Sequence, residues 1–263
     1  MILFLFLAHL GIGIVFTLAV VSREAGVKFF RFNAGLAAIL IAVAFAFHPT
    51  EEGGAVAQAG FIALLVVEAA ILIYWATIGR MLASVRPAIV GVACVAGLVV
   101  LVTQALAASG DRGFAAQVLT VASFLTSAGL LGGACTAMIL GHWYLILPSM
   151  PVKHLQSIVE LHIASMVCRV AVVSAAVFVA IETWQPGLGP SFRHYILSTS
   201  GVFFWQRVLF GLFGPAILSY LTWQTAKIRS TQSATGILYV DFFTVVVGEV
   251  LAKYLLLSTN IPI

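Results

Sequence analysis

The chain has 263 residues, 62% of them hydrophobic and 8% charged, with a mean hydropathy of +1.13. A soluble domain is about a quarter charged, so this composition excludes an ordinary water-soluble fold and puts the chain in lipid. The formal net charge of +4 then bears on how the chain crosses a bilayer and gives no reason to expect a nucleic-acid partner.

About 20 apolar residues span the hydrocarbon, and backbone groups without water to bond favour helices. The apolar runs predict an all-α integral membrane protein, a single transmembrane domain over 1–263. Eight spans are expected, near 1–22, 29–47, 55–78, 87–108, 114–147, 155–181, 198–226 and 235–258. The first run has no basic region ahead of it and no small-residue cleavage site, so it reads as a spanning helix and not a removed signal peptide.

Orientation follows from the basic residues of the turns. Those after spans one, three, five and seven hold Arg23, Lys28, Arg31, Arg80, Arg86, Lys153, Lys227 and Arg229, against Arg112 and Arg193 in the others. The first set is expected in the cytoplasm, with both termini outside a bacterial inner membrane. The outer turns add Glu51, Glu52 and Asp111, and the longest, 183–197, offers a face to a soluble partner.

The fifth run is long for one crossing and holds Gly129, Gly132, Gly133 and Gly141, which let helices approach closely in a membrane. Trp143 and Tyr144, ahead of Pro148, read as interfacial aromatics. Cys94, Cys135 and Cys168 sit apart in apolar segments, with no CxxC or Cys/His spacing, and read as small buried hydrophobes.

Ionisable groups inside spans carry the functional signal, because each costs a few kcal/mol or more at bilayer depth. The last run carries Asp241, Glu249 and Lys253, and the last two are four apart on one helix face. Counting depth at about 1.5 Å per residue puts His9, Arg207, Glu249 and Lys253 in the outer half and Glu68 near the middle. An outer-leaflet cavity is expected where these five converge. His142, Glu160, His162 and Asp241 fall near the inner surface, with Arg169 between the sets, seven residues along from His162.

Such groups suit a quinone, which needs an apolar slot, a hydrogen-bond partner at each carbonyl and a proton route. Glu249 or Glu68 would exchange the proton, His9 or Lys253 would hold a carbonyl, and Arg207 would keep a carboxylate ionised. Glu160, Arg169 and Asp241, with the inner histidines, would carry protons. The plainer alternative is an interhelical Arg207–Glu249 ion pair with Lys253 reaching toward the interface. Both stand at this point.

The segment Gly248-Glu249-Val-Leu-Ala-Lys253-Tyr254 resembles the Gly-Glu-x-x-x-Arg-x-x-Phe-Tyr pattern that closes the membrane anchors of dimethyl sulfoxide reductase and related polysulfide-reductase-type (NrfD-like) complexes. Lys253 stands where that pattern has arginine. Eight helices with both termini outside are also similar to the dimethyl sulfoxide reductase anchor. The resemblance implies a haem-free anchor that binds a quinone, menaquinone or ubiquinone, near the outer face. It implies an externally docked iron–sulfur subunit serving a catalytic subunit, and it carries over Glu249 and Lys253. A cytochrome partner at the same face is the other electron carrier considered.

Two other classes stay open. His142 and His162, on consecutive antiparallel spans, would clamp a haem b in a cytochrome subunit. Gly211, Gly214 and Pro215 would break span seven as in a proton or solute transporter. A hydrolase is excluded by the lack of a Gly-x-Ser-x-Gly elbow or a His-Glu-x-x-His motif.

Overall fold

The structure, a computed structural model, describes residues 1–49, 54–81, 83–110, 112–146, 152–183 and 191–263, with Thr183 and Ser200 as backbone alone. Glu51, Glu52, Asp111, Pro148 and the 184–190 part of the outer turn lie outside the described residues. All the regular structure among the described residues is helical. In chain order they form α1 (Ile2–Val20), α2 (Gly26–Ala46), α3 (Ala55–Thr77), α4 (Arg86–Ser109), α5 (Phe114–Ile146), α6 (Lys153–Thr183), α7 (Phe192–Leu197), α8 (Val202–Val208), α9 (Gly214–Lys227) and α10 (Thr231–Thr259).

Seven helical segments among the described residues are long and apolar enough to cross a membrane. They are Ile2–Val20, Arg23–Ala46, Ala55–Thr77, Arg86–Ser109, Phe114–Ile146, Lys153–Glu182 and Val202–Lys227. The helix α10 is not among them; it is the one that carries Asp241, Glu249 and Lys253. The bundle wears its apolar residues outward: Ile39, Val95, Phe178 and Phe243 are each more than 60% exposed. Arg169, Arg207, Asp241, Glu249 and Lys253 are buried. That inversion is what lipid as solvent demands, since a buried charge needs protein partners while an apolar surface needs none.

Three helices make the centre. The helix α1 packs on α2, α4, α5 and α10, and α5 packs on α1, α4, α6 and α10. Gly13 and Gly132 permit the α1–α5 crossing, because a Cβ on Gly13 would overlap the Ala128 carbonyl and one on Gly132 the Gly13 backbone. Beside the crossing, Thr17 and Thr136 share a hydrogen bond of 2.7 Å. The helices α2, α3 and α4 form one flank, with α3 packed on α4 and α2. The helices α6, α8 and α9 form the other, with α8 and α9 against α10.

Two contacts tie helix ends together, one at each end of the bundle. Glu24, in the turn between α1 and α2, bonds His154 at the start of α6 (2.5 Å). At the opposite end Arg112, before α5, bonds the Asn260 carbonyl that follows α10.

Two sequence expectations change. Span seven, expected as one helix over 198–226, is interrupted by a π-helical turn at Leu209–Phe213 and preceded by the separate short helix α7. Pro215 cannot donate to the ladder and crowds the preceding turn, and a wider π turn accommodates it. Tyr144, expected at the interface, is turned inward, and its hydroxyl accepts the Leu155 N–H (3.2 Å), linking α5 to α6. Of the cysteines, Cys135 is buried, Cys94 half-buried and Cys168 exposed.

Candidate functional site

The inward face of α10 presents Asp241, Val245, Gly248, Glu249, Ala252 and Lys253. Gly248 meets Gly211 in the π turn so closely that a side chain on either would strike the facing backbone. This approach brings the Arg207 guanidinium over the glycine pair and onto Glu249. A π turn next to a buried charge is a recurrent mark of functional sites.

Glu249, 0% exposed, is the hub. Arg169 grips it with two bonds, Nε to Oε1 at 2.9 Å and Nη2 to Oε2 at 3.2 Å. Arg207 donates Nη2 to Oε1 at 2.9 Å, and Lys253 donates to Oε2 at 3.3 Å. Ser127 of α5 donates to Oε2 at 2.5 Å and accepts from Lys253 at the same distance. Arg169 also donates Nη1 to the Ser123 hydroxyl and carbonyl, at 2.7 and 2.9 Å. Three cationic side chains therefore face one carboxylate.

His9 of α1 completes the group, its Nδ1 at 3.3 Å from Ser127 Oγ. The Ser127 proton is committed to Glu249, so the remaining lone pair of that oxygen takes a proton from His9. That assigns the Nδ1–H tautomer and leaves Nε2 an acceptor with no hydrogen-bond partner among the described residues. The His9 ring lies edge-on to Phe124, centroids 4.7 Å apart.

A second buried pair hangs from α10 two turns nearer the basic end. His162 Nε2 lies 2.7 Å from Asp241 Oδ2, and both side chains are fully buried. The unused atoms, His162 Nδ1 and Asp241 Oδ1, have no hydrogen-bond partner among the described residues. The helix α6 thus reaches α10 through two side-chain bridges, His162–Asp241 and Arg169–Glu249. Their equal spacing reflects two parallel helices, since seven or eight residues make two turns.

The other expected site residues fall elsewhere. Glu68 does not join the Glu249 group. It is half-buried on α3, its Oε2 without a hydrogen-bond partner among the described residues, on a helix packed against α2 and α4. Trp75, on the same side, leans on Gly35 of α2. Glu160 is exposed on α6. Nor does an open outer cavity form at the five residues: His9, Arg207, Glu249 and Lys253 are 1% exposed or less and bond one another or Ser127. His142 and His162 are not brought to one iron. His162 packs beside Gly133, nine residues along α5 from His142, or about 13 Å, while His142 Nδ1 bonds the Tyr239 hydroxyl at 3.0 Å.

Ser123 and Ser127 are the functional residues that sequence reasoning passed over. Their signal is a run of hydroxyls, Thr120, Ser123, Thr126 and Ser127, in one stretch of α5. No family model, curated protein or solved structure matches the chain.

Proposed function

We propose that the chain is the eight-pass, quinone-linked membrane subunit of an electron-transfer complex, with α10 as the eighth span and both termini outside. The basic residues of the α1–α2, α3–α4 and α9–α10 turns support that orientation. In this reading α10 carries an anchoring group at Glu249 and a proton-exchanging one at Asp241, and the electron carriers reside on partners docked outside: an iron–sulfur or cytochrome subunit and a catalytic subunit.

The observation that carries the proposal is the pairing of two buried acid–base groups on one helix. One is saturated at Glu249 and one half-satisfied at Asp241–His162. A transmembrane segment keeps such groups at a cost of several kcal/mol, and buried carboxylate–histidine chains are a common form of proton relay. Because the Glu249 carboxylate is enclosed and held by Arg169, Arg207 and Lys253, its role here is to anchor α10 beside the quinone, and the quinol proton passes to the Asp241–His162 pair. His9 Nε2, on the side of the ring turned away from Ser127, is the entry atom. Asp241 and His162 continue the route toward the basic end.

Purification in mild detergent with mass spectrometry and an optical spectrum tests the proposal. Redox subunits and an isoprenoid quinone are expected to accompany the chain. A lone chain without quinone would contradict it, and a Soret band tracking the chain would favour the cytochrome reading instead. The π turn beside Arg207 favours one other reading, a proton-coupled transporter, in which the isolated chain in proteoliposomes would move a solute with protons.

A further inference from the structure

The α2–α3–α4 flank holds a feature that the α10 column does not use. At the end bearing the α1–α2 and α3–α4 turns, a cavity of about 480 Å³ is lined by Arg23, Arg86 and Tyr74 over an apolar floor that includes Leu18, Phe30 and Val90. A second hollow, about 770 Å³ and lined by apolar residues alone, follows the outward seam of α3 and α4. Along α4 it runs from Ala88 to Val99, about 16 Å at 1.5 Å per residue. Gly91 lines both, so the two adjoin at that residue, and a Cβ built there meets nothing within 4 Å.

The polar end is short of anions. Arg86 uses Nη2 to hold the Thr77 and Met81 carbonyls, at 3.2 and 2.7 Å, and its Nε is buried with no hydrogen-bond partner among the described residues. Arg23 is exposed. Its neighbour Glu24 turns away to His154 and Lys153. Two guanidiniums at the mouth of a hydrocarbon-lined track match the two halves of an anionic amphiphile, since arginine suits phosphate and the groove suits an acyl chain.

We propose that this is a binding site for one anionic phospholipid, its phosphate held by Arg23 and Arg86 and one acyl chain laid along the α3–α4 seam past Gly91. A zwitterionic headgroup brings no net charge to the arginines, so the site selects for anionic lipid. It stands independently of any quinone chemistry on α10.

The test is native mass spectrometry of the full-length protein in detergent, titrated with phosphatidylglycerol, phosphatidylcholine or inorganic phosphate. Phosphatidylglycerol is expected to be retained about tenfold better than phosphatidylcholine, and phosphate alone not to compete. R23Q, at an exposed residue, is expected to weaken retention about fivefold. G91L fills the junction from open space and removes a mid-helix glycine, so it should block the chain while the thermal midpoint holds. Equal retention of the two lipids, competition by free phosphate, displacement by an isoprenoid quinone, or undiminished binding by G91L would each overturn the assignment.

Discussion

Two buried acid–base groups hang from α10, eight residues apart, and they differ in how completely they are satisfied. At Glu249 both carboxylate oxygens are held by two arginines, a lysine and a serine. At Asp241 one oxygen bonds His162 and the other has no hydrogen-bond partner among the described residues. Around Glu249 the atoms without a hydrogen-bond partner among the described residues are Arg207 Nε and Nη1 and His9 Nε2, not the carboxylate. A saturated carboxylate fixes geometry, whereas a half-satisfied one leaves a lone pair free to take a proton. The first group therefore holds α5, α6, α8 and α10 together, and the second is where a proton has room to move.

The largest expected effect breaks the saturated group. E249Q leaves three buried cations facing a neutral amide, and losing one partner of a buried ion pair costs about 3–5 kcal/mol. Thermal unfolding in detergent should show a large fall in midpoint; an unchanged midpoint would remove Glu249 from its place as hub. The next effect is smaller and sharpens the contrast. D241N keeps a hydrogen bond to His162 and should cost on the order of 1–3 kcal/mol, leaving the protein assembled while proton-linked turnover falls. A loss of stability as large as that of E249Q would erase the distinction between the two groups.

K253M should change stability by less than about 1 kcal/mol. It removes one of three cations on a single carboxylate and its own desolvation cost with it. A collapse comparable to E249Q would show the lysine to be indispensable to the charge balance. The smallest effect is expected at Glu68, whose Oε2 has no hydrogen-bond partner among the described residues. E68Q should leave the unfolding midpoint within about 0.5 kcal/mol of the parent, as for substitutions away from packed or paired features.

The difference between the two groups was only partly legible in the chain. Glu249 and Lys253 on one face, and His162 and Arg169 on another, follow from helical spacing alone, because 3.6 residues per turn fixes which side chains align along one helix. Depth was also countable, and Arg207 and Glu249, matched by depth, do meet. Azimuth was not countable. Glu68 has a depth suited to the Glu249 group, yet α3 packs on α2 and α4 and so turns that carboxyl to the far flank. His142 was misplaced for a related reason. With 33 residues, α5 outruns one crossing, and its last turns carry His142 well past the level of His162. The bond that Ser127 makes to Glu249 joins α5 to α10, a pairing that helical spacing within either helix does not give.

The most direct measurement is quinol-driven turnover, with proton release followed alongside, in the complex proposed above, purified with D241N and shown to be assembled. The account predicts that electron transfer and proton release fall together to near background while the subunits stay bound. Full turnover with Asp241 neutralised would contradict it, leaving α10 as a helix whose charges serve packing alone.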